Sequence, residues 1–272
     1  MVLVSSEQFD LRQIAESGQC FRMTEIEPGR YRVIALDKAV VLEERKSGIL
    51  LDCSLPEYQG FWRDYFDRDT DYGEFLREID ESDPFLYAAS EAGSGIRILR
   101  QDPWEMLVSF LISQRKSIPA IRTCIEALCS RFGEKIGGGK EPLYAFPTAE
   151  RLAECTEDEL AACSLGYRTR YVHEAAQKVA SGELDLAAAV ALDDEELYNT
   201  LLTLTGVGAK VADCVMLFGF HRLDRFPRDV WMNRVVNERY GGNFPFERYR
   251  GFLGVVQQYL FCYARENPEL MK

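Results

Sequence analysis

Residues 204–214 read Leu-Thr-Gly-Val-Gly-Ala-Lys-Val-Ala-Asp-Cys, and Asp229 follows nineteen residues after Lys210. A Gly-Val-Gly turn between helical segments forces two helices back on each other within three residues. Its bare backbone N–H groups can then face a phosphate. Gly206 fits the turn, Val207 can anchor it in a core, and Gly208 allows a nucleic-acid strand to approach closely. A preceding helix and a missing third glycine exclude a dinucleotide-binding fingerprint. Taken alone, the motif is also satisfied by a plain tight turn. Lys210 opens the second helix, where a cation opposes the helix dipole. An amine there with a later carboxylate adds a candidate nucleophile and charge partner, which simple anion binding does not need. Cys214, one turn on, shares its face.

Charge argues the other way when taken as a total. The net charge is -12 over 272 residues, which is unfavourable for a nucleic-acid partner. The acids, however, lie in blocks. Residues 52–83 hold eleven acids against three arginines, and 181–200 hold six acids and no base. Residues 204–234 carry five basic side chains against three acidic ones, and 100–140 carry seven against four. A local cationic face around the hairpin is compatible with that distribution, with weak and salt-sensitive non-specific binding.

The eight cysteines contain no Cys-x2-Cys pair, and there are only two histidines. No metal site is expected, and no organic cofactor is implied. The thiols sit among apolar neighbours and read as small buried hydrophobes. No apolar run is long enough for a membrane span, and Met1-Val-Leu-Val is too short for a signal peptide. The default expectation is a cytoplasmic chain with no membrane partner.

The fold expected is α+β. From Phe9 to Leu51 the pattern is strand-like, in segments at Cys20–Met23, Tyr31–Leu36, Ala39–Glu44 and Gly48–Leu51. Turns fall at Glu27-Pro-Gly-Arg30 and Arg45-Lys-Ser-Gly48. Helices at Phe61–Phe66 and Tyr72–Ile79 would cover this antiparallel sheet. Beyond Gly95 the pattern is helical almost throughout, from Asp102-Pro-Trp, a cap followed by proline in the first turn, to a last helix over Arg248–Tyr263. Gly137–Gly139 reads as a loop. The chain divides into a sheet domain at 1–95 and a helical domain at 96–272.

Most site candidates also have a plain structural reading. Asp229, in Phe226-Pro-Arg-Asp-Val, is a natural helix cap, a role compatible with catalysis because capping fixes the carboxylate's direction. Arg225 and Arg228 add charge beside it. Phe261 fits a core aromatic and Gln257 a surface amide. Tyr167 fits packing between helices, although an aromatic beside Arg168 and Arg170 also suits stacking with phosphate attraction.

Taken together, these residues resemble the helix-hairpin-helix DNA glycosylase superfamily, and within it the 8-oxoguanine DNA glycosylases, of a bacterial or archaeal type given the compact length. Gly18-Gln-Cys-Phe-Arg22 resembles an early Gly-Gln-Ser-Phe-Arg signature of that family. Asp102-Pro-Trp-Glu with Ser109-Phe-Leu-Ile resembles its opening helix. Leu165-Gly-Tyr-Arg-Thr-Arg-Tyr171 resembles its Gly-Tyr-Arg loop, and Gln257 with Phe261 its last helix. The resemblance implies a monomeric bifunctional glycosylase/AP lyase acting on duplex DNA that contains an oxidised purine. Lys210 would attack C1′ and form a Schiff base, and Asp229 would stabilise the developing positive sugar. The base must be turned out of the helix. Phe261 and Cys214 would then flank it, and Gln257 would bond its Watson–Crick edge. The Gly18 carbonyl would accept from N7–H, which guanine lacks. Tyr167 would act as wedge and Arg168 would read the opposite cytosine, with Arg170, Arg115 and the 206–208 turn also facing DNA.

Three departures accompany the resemblance. The asparagine and arginine that eukaryotic-type members place around the start of the next helix correspond to Arg115 and Ala120. Losing a bidentate donor to cytosine predicts relaxed opposite-base selectivity. Trp231 stands where a histidine follows the catalytic aspartate, and Thr205 replaces the usual hairpin proline. The alternatives are a glycosylase for another purine lesion, such as alkylated purines, and a non-catalytic helix-hairpin-helix DNA-binding protein.

Overall fold

The computed structural model describes residues 1–137 and 142–271. Gly138 and Gly139 of the expected glycine loop lie outside the described residues. Five antiparallel strands form one sheet in the order β1-β5-β4-β3-β2, with β1 Val2–Val4, β2 Met23–Glu27, β3 Arg30–Ala35, β4 Lys38–Arg45 and β5 Gly48–Leu51. The alternation expected of a half-buried sheet is clearest in β4, where Val40 and Leu42 are buried and Val41 and Glu43 are half-buried. β1 pairs with β5, Val2 opposite Leu51, and was not foreseen because three apolar residues carry no period of their own.

The strand-like reading from Phe9 fails locally. Residues Leu11–Glu16 are helical, capped by Asp10, whose carboxylate accepts from the Gln13 N–H at 2.8 Å. Asp10 with Gln13 three residues later was the missed signal. The next strand begins only at Met23, leaving Ser17–Arg22 as the turn that carries Gly18.

Two apolar cores result. The sheet core gathers Phe9, Leu11, Met23, Leu42, Trp62, Phe66 and Leu99. The helical core runs from Phe21 and Tyr72 to Leu260 and Ala264, and takes Ile79, Leu86 and Ala89 from the first 95 residues. Only the 61–66 segment therefore covers the sheet as expected; Tyr72 and Ile79 pack into the helices instead. All seven fully buried cysteines lie in these interiors, and Cys262 is half-buried.

The helices that matter for the site are Pro103–Ser113, Ile118–Phe132, Arg168–Ala180, Asp194–Leu202, Ala209–Phe218, Val230–Arg234 and Leu253–Glu266. Asp102 and Ser117 cap the first two through side-chain oxygens, each followed by proline in the first turn. The Val230 helix gives way to a wider π turn at Val235–Arg239, and the last helix starts at Leu253, after a short 3₁₀ turn at Phe246–Tyr249. A two-residue ribbon, Lys135–Ile136 with Leu143–Tyr144, was not expected either.

Candidate active site

The site begins with a turn held across the domain junction. Gln19 is fully buried, and its amide donates to the Arg97 carbonyl at 2.9 Å and accepts from the Leu99 N–H at 2.8 Å. Gln101 donates back to the Gln19 carbonyl at 2.9 Å. Arg122 and Arg265 donate to the carbonyls of Ala15 and Glu16 at 2.6 and 3.2 Å, closing the end of the preceding helix. These bonds fix Gly18 against the last helix. Gly18 adopts φ +78, a left-handed conformation that suits glycine. A Cβ there would lie 3.6 Å from the Phe261 ring and 3.4 Å from Ile118.

Beside that turn lies a cavity of about 60 Å³ lined by Gly18, Phe110, Lys210, Cys214, Asp229 and Phe261, with Ser17, Phe218, Pro227, Gln257 and Gln258 completing it. Every residue expected to catalyse or to hold the base is in this set. Phe110, Phe218, Pro227 and Gln258 were not anticipated. The signal for Gln258 was present: Val-Val-Gln-Gln-Tyr-Leu places two amides in an apolar helix, against the pattern of a buried face.

Lys210 is half-buried in the first turn of its helix, its Nζ 5.1 Å from the centre of the Phe110 ring. An aromatic face at that distance holds an ammonium without neutralising it by a carboxylate. The same Nζ is bonded to the Cys214 thiol. Burial pushes that thiol up to about 11, outweighing the pull of Lys210, so it stays protonated at neutral pH. Asp229 caps the Val230 helix as expected, accepting from the Met232 N–H at 2.9 Å. One carboxylate oxygen is thus tied to the backbone, and its direction is set by the fold.

The face outside the cavity is stitched through one residue that the sequence reading passed over. Gln114 ends the Pro103 helix; its Nε2 donates to the Gly206 carbonyl at 3.1 Å. Its own carbonyl accepts from Arg168 Nε at 2.9 Å and from the Arg168 Nη2. The loops at 113–117, 164–168 and 204–208 therefore move as one. Arg168 is buried, also bonds the Leu165 carbonyl at 3.1 Å, and stacks 4.3 Å from the Tyr167 ring. Tyr167 itself is 53% exposed and meets Tyr171 edge-on at 5.8 Å. Arg115 is exposed with φ +53, Arg170 is exposed and paired with Glu174, and Ala120 lies in the first turn of its helix, capped by Ser117.

In the hairpin, Val207 is buried and Gly208 exposed, with open space where a Cβ would be. Gly206 has φ +84 and sits against the Tyr171 ring. Arg225 does not add free charge at the site. It binds the Asp194 carbonyl at 2.8 Å and approaches Asp194 and Asp213 carboxylates at 3.5 and 3.7 Å. Burial raises Asp213 to about 6, opposed by Arg225. Arg228 is exposed.

A lysine, a directed carboxylate and a base-sized slot behind a glycine hairpin define a lesion-excising enzyme of base repair. Residues 1–107 match the 8-oxoguanine DNA glycosylase N-terminal domain, and residues 108–244 match the HhH-GPD superfamily base excision DNA repair proteins. The chain belongs to that superfamily. Among solved structures it is similar to MBOgg1 in complex with a low-affinity DNA ligand, at 39% identity over 96% of this chain and 94% of that one, TM-score 0.91. It is also similar to the Clostridium acetobutylicum 8-oxoguanine glycosylase/lyase in complex with duplex DNA containing cytosine opposite 8-oxoguanine. The identity there is 37%, covering 96% of this chain and 93% of that one, TM-score 0.89. The probable N-glycosylase/DNA lyase of Methanothermobacter thermautotrophicus is 28% identical over 231 residues, 74% of this chain and 73% of that protein. Among the described residues, no helix is long and apolar enough to cross a membrane.

Proposed function

We infer that this chain is a bifunctional 8-oxoguanine DNA glycosylase/AP lyase acting on duplex DNA. The observation that carries the reading is the convergence of Lys210 and Asp229 on the cavity closed by Gly18, Gln257 and Phe261. A binding-only hairpin needs no amine and no carboxylate there. A glycosylase that activates water needs the carboxylate alone.

In the reaction, the neutral Lys210 amine bonds to C1′ while the C1′–N9 bond breaks and its electron pair leaves with the base, which is then protonated. Loss of an Nζ proton and opening of the sugar give the Schiff base. Loss of a C2′ proton then expels the 3′ phosphate, which cuts the strand. The Asp229 carboxylate, fixed by its cap bond, faces the sugar as positive charge develops on it. Phe261 supplies a flat face for the turned-out base, and Gly18 brings a backbone carbonyl within reach of it without a side chain in the way. Tyr167 fills the gap left in the duplex, while Arg115, Arg168, Arg170 and the 206–208 turn hold the backbone and the opposite strand. The pocket and both strand-facing loops come from one copy, so the working unit is a monomer, acting in the cytoplasm alongside the chromosome.

The test is strand cleavage without added metal on duplexes carrying 8-oxoguanine or an alkylated purine opposite cytosine. Cleavage at 8-oxoguanine alone supports the reading. Release of the alkylated base in preference to 8-oxoguanine would replace it.

A further inference from the structure

Gln257 and Gln258 are both buried, at 3% and 2% exposure, and both line the cavity that holds Lys210 and Asp229. Their amides are not free to turn. The Pro227 carbonyl can only accept, and it takes a hydrogen bond from Gln257 Nε2 at 3.3 Å. That leaves Gln257 Oε1 facing Gln258, whose Nε2 donates to it at 3.0 Å. The chain of amides ends on Gln258 Oε1, a buried acceptor with no partner among the described residues. Buried acceptors are normally satisfied, so an orphan at a substrate cavity marks a place for a donor that arrives with the ligand.

We propose that Gln258 is a specificity-determining residue of the base pocket, its Oε1 accepting a hydrogen bond from the exocyclic amino group of a turned-out guanine-type lesion. The proposal rests on the base-excision reading above. Gln258 has a second task, holding Gln257 with its carbonyl oxygen toward the base. Two carbonyl oxygens then meet an edge of N–H donors, the edge of a 2-amino-lactam purine. An adenine-type edge presents an acceptor at N1 and is repelled by the same pair. The polarity comes from the Pro227 carbonyl, so selection for the lactam edge is built into the backbone and relayed through two side chains.

The experiment compares single-turnover cleavage by the full chain of duplexes with 8-oxoguanine or 8-oxohypoxanthine, the same lesion without the amino group, opposite cytosine. The proteins are the wild type, Gln258→Met and Gln258→Glu. Each is scored by the ratio of its two rates, in which any difference in folded fraction cancels. The wild type is expected to favour 8-oxoguanine about tenfold, and Gln258→Met to bring the ratio near one. Gln258→Glu keeps an acceptor oxygen but loses the bond to Gln257, so it retains the preference while both rates fall. A wild type indifferent to the amino group, or a Gln258→Met protein with the wild-type ratio, overturns the proposal. A wild type that cleaves neither duplex overturns the base-excision reading itself.

Discussion

Gly206→Ala tests how tightly the hairpin is tied to the DNA-facing loop. A Cβ at this position would lie 2.6 Å from Cγ of Tyr171, the rigid root of the ring rather than a movable tip. At φ +84 the new side chain also sits in the left-handed region. The backbone conformation costs about 1–2 kcal/mol for a non-glycine residue, and forcing the ring aside adds about 1–3 kcal/mol as overpacking. The sum is about 3 kcal/mol, which for a chain of this size lowers Tm by roughly 6–10 °C. Calorimetry of the single variants and of Gly206→Ala/Tyr171→Ala separates the two causes. The double variant removes the clash and keeps the strain, so the coupling energy should be about 1–3 kcal/mol and favourable. Because Tyr171 supports Tyr167 edge-on, affinity for the lesion duplex should fall along with stability. A Tm loss under about 2 °C, or strict additivity in the double variant, would refute the reasoning.

Asp229→Asn keeps a competent helix cap, so stability should change by no more than about 0.5 kcal/mol while the single-turnover rate drops by about 10²-fold or more; melting and quenched-flow measurements check the pair. Gln114→Ala removes the bond to the Gly206 carbonyl and should weaken duplex binding by about five- to tenfold, read by fluorescence anisotropy at fixed salt, with little loss of rate at saturation. Glu105 is buried and pushed up to about 7 by desolvation, against the pull of Arg22. Below about pH 4.5 the carboxyl is protonated in both the folded and unfolded states, so it contributes no difference. Between there and about pH 7 only the unfolded chain ionises it, so stability falls as pH rises, by about 3 kcal/mol in all. Glu105→Gln should therefore match the wild type near pH 4.5 and exceed it at pH 8, checked by urea unfolding at both values.

The class of fold was legible because β3, β4 and β5 carry period-2 patterns with turn residues between them, and because caps such as Asp102, Ser117 and Thr156 announce their helices. Short elements escaped for a physical reason. The three residues of β1 and the six of the Leu11 helix are stabilised by what they pack against, and their own sequence is too brief to set a period. For the site, the sequence brought forward Lys210, Asp229, Gly18, Cys214, Gln257 and Phe261, and the fold gathers all six around one cavity. It did not bring forward Gln114, because the role of that residue lies in reaching the Gly206 carbonyl, ninety-two positions away. Gln19 was visible only as part of a motif; its work is to pin the Gly18 turn to residues 97 and 99. Arg225 shows the converse error. Its charge counted toward a cationic face in the sequence, but the Asp194 and Asp213 carboxylates hold it inside the protein.

Borohydride trapping bears most directly on amine catalysis by Lys210. The purified chain is incubated with a duplex containing one 8-oxoguanine opposite cytosine, without metal, and the mixture is reduced. The expected result is a covalent protein–DNA adduct that maps to Lys210 and is lost in a folded Lys210→Gln protein. Base release without any adduct, or an adduct that persists in Lys210→Gln, would contradict it.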